Sequence, residues 1–344
     1  MSGAGWLAVD AIVERGIRRR AFPGAVVEAG TRDAVLWRRA FGALTYADAA
    51  PPAAIDTIYD LASLTKVIAT TTRAMQAVEA GRLRLDARLG AYLPAWRGTD
   101  REAVTIGDVL EHASGLTAYL PFFRDHAGRA DFERAICSLP LEYPPRSRSI
   151  YSDLGFILLG FVLEDAGFPL NVLPFGTESP FFNPGKDLRA RCAPTELDLW
   201  RGRLLQGEVH DENTWALGGI AGHAGMFGTA AGVGAFARDV LNGLGGQTTF
   251  ARPDTFAAFA AKSAVPGSSR ALGWDTMLPT SSCGTRLSPR AIGHTGFTGT
   301  SLWIDPALNL YVVFLTNRIH PARDNNRIQP VRRALHDAIV EALG

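Results

Sequence analysis

The chain has few cysteines, and their placement excludes several kinds of protein. Its 344 residues include only three, Cys137, Cys192 and Cys283, which are widely separated and form no Cys-x-x-Cys pair. An odd, scattered set of thiols argues against a disulfide framework, a redox pair or a cysteine zinc site. We therefore expect three ordinary reduced thiols.

Long apolar runs and an excess of charge of one sign are also absent. The longest apolar run, Leu154 to Leu163, is far shorter than the ~20 residues that a membrane-spanning helix requires, so it predicts a core helix. The formal net charge of +1 gives no reason to expect a nucleic-acid partner. The amphipathic segment Trp6 to Phe22 carries Asp10 and Glu14 where a signal peptide would be apolar, so we expect a cytoplasmic protein.

Lysine is scarce as well, and one lysine stands close to a serine. Only three of the 35 Lys and Arg residues are lysines, and Lys66 follows Ser63 by three positions. Arginine stays charged at any workable pH, whereas a partly buried lysine can lose its proton and act as a base. Apolar residues recur around the pair at helical spacing, and they are Ile55, Ile58, Leu61, Leu64, Val67 and Ile68. They predict a buried helix that Ser63 opens, where unpaired N–H groups would favour an oxyanion and acyl transfer.

A second candidate element places a tyrosine before an apolar helix. Tyr151 is followed by Ser152 and Asp153, and the helix is predicted over 156–163. The phenol could serve as an acid or a base. Taken alone, the segment is better explained as a helix capped by Ser152 or Asp153 beside a packed tyrosine.

The third element is the glycine-rich stretch 293–299, which precedes two strands. Residues 302–305 and 310–315 are predicted as two strands joined by the short turn 306–309, so they predict a hairpin. The small residues Gly293, Thr295 and Gly296 would let a ligand lie against the strand edge, where the Phe297 N–H could face an oxyanion. The alternative is an edge strand that merely turns.

In this order, the three elements resemble the serine β-lactamase and DD-peptidase superfamily, whose motifs are Ser-x-x-Lys, Tyr-x-Asn and Lys- or His-Thr-Gly. Because Tyr151 and His294 occur together, the chain is most similar to the branch of class C β-lactamases, family VIII carboxylesterases, D-aminopeptidases and penicillin-binding-protein homologues. Segments 58–66, 110–116 and 222–230 also resemble that branch. The resemblance extends over nearly the whole chain.

The resemblance implies a role for each motif residue. Ser63 would attack a carbonyl, Lys66 and Tyr151 would move its proton, and the N–H groups of Ser63 and Phe297 would hold the oxyanion. His294 would assist electrostatically. Lys66 must be neutral to act as a base, and which of Lys66 and Tyr151 takes the first proton is left open. Neither a metal nor a cofactor is expected.

Two residues depart from the superfamily pattern. Asp153 replaces an asparagine that would donate to the substrate, and its ionised carboxylate would repel carboxylates. His294 replaces the lysine of class C β-lactamases, so a permanent positive charge is missing or depends on pH. The Asp153 departure argues against recognition of penicillin and of peptidoglycan, and the His294 departure favours esterase or peptidase activity over β-lactamase activity. Residues 168–185 also look shorter and less helical than in relatives, and this trimmed loop would widen the cleft.

Other residues are expected to shape the cleft or the core. By resemblance, His223 and Ala224 line the cleft wall, and Thr295 and Gly296 contact the substrate. Tyr119, with Phe122 and Phe123, either borders the acyl pocket or packs in the core. The cluster 210–213 with His223 matches no zinc spacing and is expected to hold a loop. His112 and Ser114 are expected to secure a helix end, whereas His126, His320 and His336 are expected at the surface.

The order of predicted elements gives an α+β architecture. Residues 1–62 and 266–344 would share one antiparallel sheet, and 63–265 would form a mainly helical domain with Ser63 at the seam. We expect a serine hydrolase that acts through an acyl-enzyme on a small-molecule ester or amide, first of all a carboxylesterase. A D-aminopeptidase, a DD-peptidase, a weak β-lactamase and a non-catalytic binding relative are the alternatives. The oligomeric state is left open.

Overall fold

The computed structural model describes residues 3–98, 100–176 and 179–343. Its strands are β1 (Gly24–Gly30), β2 (Val35–Gly42), β3 (Tyr59–Asp60), β4 (Phe181–Phe182), β5 (Leu197–Asp198), β6 (Arg203–Leu204), β7 (Met226–Gly228), β8 (Asp275–Thr276), β9 (Ile292–Thr295), β10 (Ser301–Asp305) and β11 (Leu310–Thr316). Its α-helices are α1 (Gly3–Arg18), α2 (Thr72–Glu79), α3 (Ile106–Leu110), α4 (Gly128–Cys137), α5 (Asp153–Asp165), α6 (Glu212–Ala216), α7 (Ala230–Leu244), α8 (Pro253–Ala260) and α9 (Ile328–Leu343).

The main sheet joins the two ends of the chain. Its six antiparallel strands run in the order β2-β1-β11-β10-β9-β8, and β1 pairs with β11 so that Val27 lies opposite Phe314. The expected hairpin is present as β10 and β11. The prediction of an α+β fold with a shared terminal sheet is therefore confirmed. The domain boundaries at 62/63 and 265/266 stay a prediction.

Both faces of this sheet are covered, which explains why β1 and β11 are buried along their whole length. Side chains of a strand point alternately to opposite faces. Val27 and Phe314 pack with Leu335 and Ile339 of α9 on one face, whereas Val26 and Val313 belong to the core that includes α7. The sheet is thus a rigid support for β9, which ends at the candidate site.

The region between the two sheet-forming parts is mainly helical, as expected. Residues 154–163 of α5 are all buried, so the long apolar run is a core helix. The region also contains two small sheets, β3-β7-β4 and β5-β6, that were not predicted. Residues 168–185 form no helix in their described part, and their effect on the width of the cleft stays a prediction.

The helix that Ser63 was expected to open begins at Leu64. The apolar residues before Ser63 are not part of this helix, because Ile58 bridges to Cys192 and the Leu61 N–H pairs with the Met226 carbonyl. Backbone pairing with other segments therefore keeps these residues out of the helix in spite of their helical spacing.

His320 and His336 were expected at the surface, and both are buried. His320 Nδ1 lies 3.0 Å from the Thr195 carbonyl oxygen, and His336 Nδ1 lies 2.7 Å from the Arg332 carbonyl oxygen. His126 is half-buried. A neutral imidazole has one N–H donor and one acceptor nitrogen, and the carbonyl partner satisfies the donor of each buried ring.

The three cysteines are buried free thiols. In the described ranges, no helix is long and apolar enough to cross a membrane.

Candidate active site

Ser63 lies in a tight turn between β3 and the helical segment that carries Lys66. Ala62 has a left-handed backbone with φ of 46°, and the helix begins at Leu64. A π-helical stretch, Lys66–Thr71, continues into α2. The turn places Ser63 Oγ 3.2 Å from Lys66 Nζ, so the two side chains meet as the spacing predicted.

Lys66 is fully buried and has three hydrogen-bond acceptors. Its Nζ donates to Ser63 Oγ, to Asp153 Oδ1 at 2.7 Å and to the His223 carbonyl at 3.0 Å, which together use the three N–H groups of an ammonium. Burial lowers the pKa of Lys66, but Asp153 and Tyr151 raise it by more, so the net pKa is raised. The raised pKa opposes the neutral form that a lysine base requires, because a carboxylate lies beside Lys66.

Tyr151 is the second side-chain partner of Ser63 Oγ. Its hydroxyl is hydrogen-bonded to Ser63 Oγ at 2.8 Å. Lys66 Nζ and the Arg270 guanidinium lie 4.8 and 5.1 Å from the ring centroid. Burial raises the pKa of Tyr151 and the Lys66 ammonium lowers it, with a net increase.

The start of α5 positions both Tyr151 and Asp153. Ser152 is the N-cap, since its Oγ accepts from the Gly155 N–H at 3.4 Å, as the capping alternative predicted. Its own N–H donates to His112 Nδ1 at 3.1 Å, and the His112 ring packs on Tyr151 at 4.7 Å. His112 therefore supports the tyrosine segment, a contact that the sequence analysis missed because the two residues are 39 positions apart.

His294 lies in β9 and faces Tyr151, with ring centroids 5.8 Å apart. Its Nδ1 is 2.9 Å from the Thr295 carbonyl, and Nε2 has no partner among the residues that the structure describes. Burial, Arg270 and Lys66 hold the pKa of His294 well below its usual range. The ring is neutral, so the permanent charge of a lysine is missing here and electrostatic assistance by a charged ring is not supported.

The backbone around Phe297 lies close to the turn that contains Ser63. A Cβ on Gly296 would lie 2.6 Å from the Leu61 carbonyl oxygen, so only glycine fits. Within the described ranges, the N–H groups of Ser63 and Phe297 donate to no protein acceptor. The Phe297 side chain is 49% exposed and stacks on the His210 ring at 5.6 Å.

The predicted site residues meet at one cavity of about 610 Å³. Those that line it are Ser63, Tyr119, Tyr151, Asp153, His223, Ala224, His294, Thr295, Gly296 and Phe297. Lys66 lies beneath the cavity, and Tyr119 is 41% exposed at its edge. Phe122 instead packs in the core, and Phe123 packs on Trp200.

The cavity wall near His223 is held by side-chain hydrogen bonds. His223 Nε2 lies 2.8 Å from Asp211 Oδ1, and Asp211 also caps α6 by accepting from the Thr214 N–H. Asn213 bonds the backbone of Leu120 and Phe123. These contacts confirm that the cluster holds a loop, and no group of potential metal ligands occurs in the described parts of the chain.

Arginines in the cavity are a feature that the sequence analysis missed. Arg270, Arg318 and Arg332 line the cavity and pair with no carboxylate in the described residues. Arg332 is buried, and its Nε has no hydrogen-bond partner there. Burial and the Arg318 charge lower the pKa of Arg332 to about 10, so it remains a cation at neutral pH. Arginine is so common in this chain that three arginines far apart in the sequence could not be recognised as members of one site.

The acidic residues nearby mostly have cationic or imidazole partners. Asp153 pairs with Lys66, Asp211 contacts His223, and Glu212 pairs with Arg323. The unpaired charge at the cavity therefore belongs mainly to the arginines, which favours an anionic ligand.

Comparison with known proteins gives consistent matches. The family model described as Beta-lactamase matches residues 9–336. A protein of Escherichia coli K12 named putative D-alanyl-D-alanine carboxypeptidase is 32% identical over 333 residues, which cover 83% of this chain and 76% of the relative. Among solved structures, EstCE1, a hydrolase with promiscuous acyltransferase activity, aligns with a TM-score of 0.76 at 21% identity over 97% of this chain and 98% of its own. The class C β-lactamase of Rhodobacter sphaeroides aligns with a TM-score of 0.74 at 22% identity over 98% and 99%.

Proposed function

The chain belongs to the beta-lactamase family of serine hydrolases, and on that premise we propose that it forms an acyl-enzyme at Ser63 and removes a C-terminal residue from a small peptide. One observation carries the chemical part of this proposal. Ser63 Oγ is hydrogen-bonded to both Tyr151 and Lys66 at the cavity surface. A nucleophile within hydrogen-bond reach of a proton acceptor, itself beside an orienting cation, is the arrangement that acyl transfer requires.

The hydrogen bonds favour Tyr151 as the first proton acceptor. At rest, Lys66 Nζ and the neutral Tyr151 hydroxyl both donate to Ser63 Oγ. The reacting form requires Tyr151 as a phenolate, a minor form at neutral pH because its pKa is raised, and the Lys66 ammonium stabilises that phenolate. As the Oγ–C bond forms, the Ser63 proton moves to the phenolate oxygen. Tyr151 then gives the proton to the leaving amine or alcohol as its bond to the carbonyl carbon breaks. Water then attacks the acyl-enzyme while Tyr151 takes its proton, and Tyr151 returns this proton to Ser63 Oγ as the Oγ–C bond breaks and the acid leaves. Such proton transfer contributes about 10²–10⁴ in rate.

The N–H groups of Ser63 and Phe297 are the proposed oxyanion hole. Neither donates within the described protein, and both residues line the cavity. One such donor contributes about 10²–10³ in rate. Thr295, Gly296, His223 and Ala224 would enclose the substrate beside these donors.

The arginines support the peptide part of the proposal. A C-terminal residue carries a carboxylate next to the scissile bond, and Arg270 and Arg332 are cations without carboxylate partners in the described residues. A charge-assisted hydrogen bond to such a cation is stronger than a neutral one. The name of the Escherichia coli relative agrees with this substrate class.

Small esters are the second candidate substrates. Tyr119 and Phe297 are partly exposed aromatic side chains at the cavity, and they favour contact with an apolar acyl group. Carboxylesterase activity on neutral esters would need only these two aromatic side chains, Ser63 and the oxyanion donors. A cytoplasmic location, which would separate the protein from the cell wall, stays a prediction.

The test compares three substrates on wild type, Ser63→Ala and Arg270→Gln. They are an N-acetylated peptide ending in D-Ala-D-Ala, p-nitrophenyl butyrate and nitrocefin. We expect peptide cleavage that Ser63→Ala abolishes, and an at least tenfold fall in the peptide-to-ester ratio of kcat/KM in Arg270→Gln. Arg290→Gln, which removes an exposed arginine outside the cavity, is the matched control.

Other results would lead to different conclusions. Turnover of the ester alone would establish the esterase instead. No turnover of any substrate, with penicillin adding its mass at Ser63, would identify a non-hydrolysing binding relative.

A further inference from the structure

The two proposed oxyanion donors come from distant parts of the chain and must be held at a fixed separation. Ser63 follows β3, whereas Phe297 lies in the turn between β9 and β10. An oxyanion hole works only when both donors lie about 2.7–3.1 Å from one oxygen position. Small shifts between these two segments would therefore remove one donor from reach.

Two threonine hydroxyls join the segments directly. Thr298 Oγ1 donates to the Asp60 carbonyl at 2.7 Å, and Thr300 Oγ1 donates to the Leu61 carbonyl at 3.0 Å. Both threonines are buried, with exposures of 1% and 0%, and neither lines the cavity. We call these two side chains and their two bonds the threonine clamp. The clamp connects the residues just after Phe297 to those just before Ser63.

The turn that carries the threonine clamp has little freedom to move. A Cβ on Gly296 would lie 2.1 Å from Thr300 Oγ1, so the backbone at Gly296 is too close to Thr300 for any residue other than glycine. Gly299 has φ of 111°, and its carbonyl accepts from Thr316 Oγ1 at 2.9 Å. The hydroxyls of the threonine clamp therefore hold a turn whose backbone already has little conformational freedom.

Asp60 extends the same connection through its side chain. One carboxylate oxygen accepts from the Ala62 N–H at 2.8 Å and stabilises the turn before Ser63. The other accepts from the His210 N–H at 2.7 Å, and the His210 ring stacks on Phe297. One buried residue thus contacts the segments of both donors.

We propose that Thr298 and Thr300 are positioning residues whose hydroxyls set the separation of the Ser63 and Phe297 N–H groups, and that Asp60, whose carbonyl accepts from Thr298, stabilises the same arrangement. This inference rests on the proposed acyl-enzyme function. Neither hydroxyl touches the substrate. Valine would fill the same space without the hydrogen bond, so a purely packing role predicts little effect of Thr→Val changes on turnover.

The test uses Thr298→Val and Thr300→Val, with Thr298→Ser and Thr300→Ser as variants that keep the hydroxyl. Turnover of the best substrate and the affinity of phenylboronic acid, whose reversible serine adduct places an oxygen in the oxyanion hole, are the readouts. We expect kcat to fall about tenfold in each valine variant with KM changed less than twofold. Boronate affinity should fall in parallel, and the serine variants should recover most of both.

Thr72→Val is the matched control, because this buried hydroxyl bonds only within its own helical segment, to the Val67 carbonyl. Wild-type kcat and boronate affinity in folded Thr298→Val and Thr300→Val would overturn the inference. If Thr298→Val fails to fold, Thr300→Val and the two serine variants decide it. Activity that survives in Ser63→Ala would instead overturn the proposed function.

Discussion

The carboxylate of Asp153 and the ammonium of Lys66 form an ion pair beneath Ser63. In water such a pair contributes little, but here Lys66 has no contact with solvent, and the carboxylate offsets much of its desolvation. The pair also places Tyr151 between a cation that lowers its pKa and an anion that raises it. Asp153 therefore controls the charge of both proton-transfer candidates.

Asp153→Asn should move the rise of kcat/KM with pH to lower pH. Asp153 raises the pKa of Lys66 and that of Tyr151, so its loss favours the basic form of either group at a lower pH. We expect a shift of about one pH unit, the size typical of a close charge partner. The pH–rate profile of the ester substrate measures it, with exposed Asp48→Asn as the control. An unchanged profile would mean that neither Lys66 nor Tyr151 sets the rising limb.

At the scale of elements, the first turn of α5 combines a stability role with a positioning role. Ser152 caps the helix and donates to the Thr117 carbonyl at 2.7 Å. Its neighbours on either side are Tyr151 and Asp153. A frayed first turn would therefore displace both at once.

Ser152→Ala should destabilise the protein and lower its activity. Loss of the cap and of the Thr117 bond should lower the free energy of unfolding by about 1–2 kcal/mol. Urea unfolding measures this change, and kcat should fall as well because Tyr151 is less firmly placed. Ser152→Thr retains the hydroxyl and should stay near wild type. Equal stability of the alanine and threonine variants would show that the cap is unimportant.

The helix that Ser63 opens shows where local pattern fails. Lys66 lies beside Ser63 because a helical turn brings residues three apart together, and this was predictable. Of the preceding residues with the same apolar spacing, Ile58 bridges instead to Cys192, and the Leu61 N–H donates to the Met226 carbonyl in β7. Partner strands far along the chain decide such cases, since a short apolar run fits either structure.

At the scale of the whole molecule, buried neutral histidines link stability to pH. His336 in α9 is fully buried, and burial lowers its pKa to about 4 from an ordinary value of 6.5. The unfolded chain therefore binds a proton at this position at higher pH than the folded chain. The resulting stability is complete above pH 6.5 and is lost as the pH falls towards 4.

His336→Leu should reduce the dependence of stability on pH between 6.5 and 4. The shift corresponds to about 3 kcal/mol for wild type over this range, and leucine cannot titrate. Thermal unfolding midpoints at pH 7, 5.5 and 4.5 measure it. At each decrease in pH, the unfolding midpoint of wild type should fall more than that of the variant. Parallel curves would show that other groups, such as Glu196, whose pKa is lowered to about 2 by His210 and Arg323 against its burial, dominate acid unfolding.

The sequence by itself determined the fold class and supplied the residues that we propose for the site. Ser63 with Lys66, Tyr151 and the 293–297 stretch form separate local patterns, and each depends on contacts within a few residues or on a family resemblance. Only the tertiary structure decided that Asp153 holds Lys66 charged, that His294 is neutral and that Arg270 lines the cavity. These are properties of burial and of charges brought together from distant segments. A linear pattern contains the residue types, but protonation and electrostatic balance depend on the distances that folding creates.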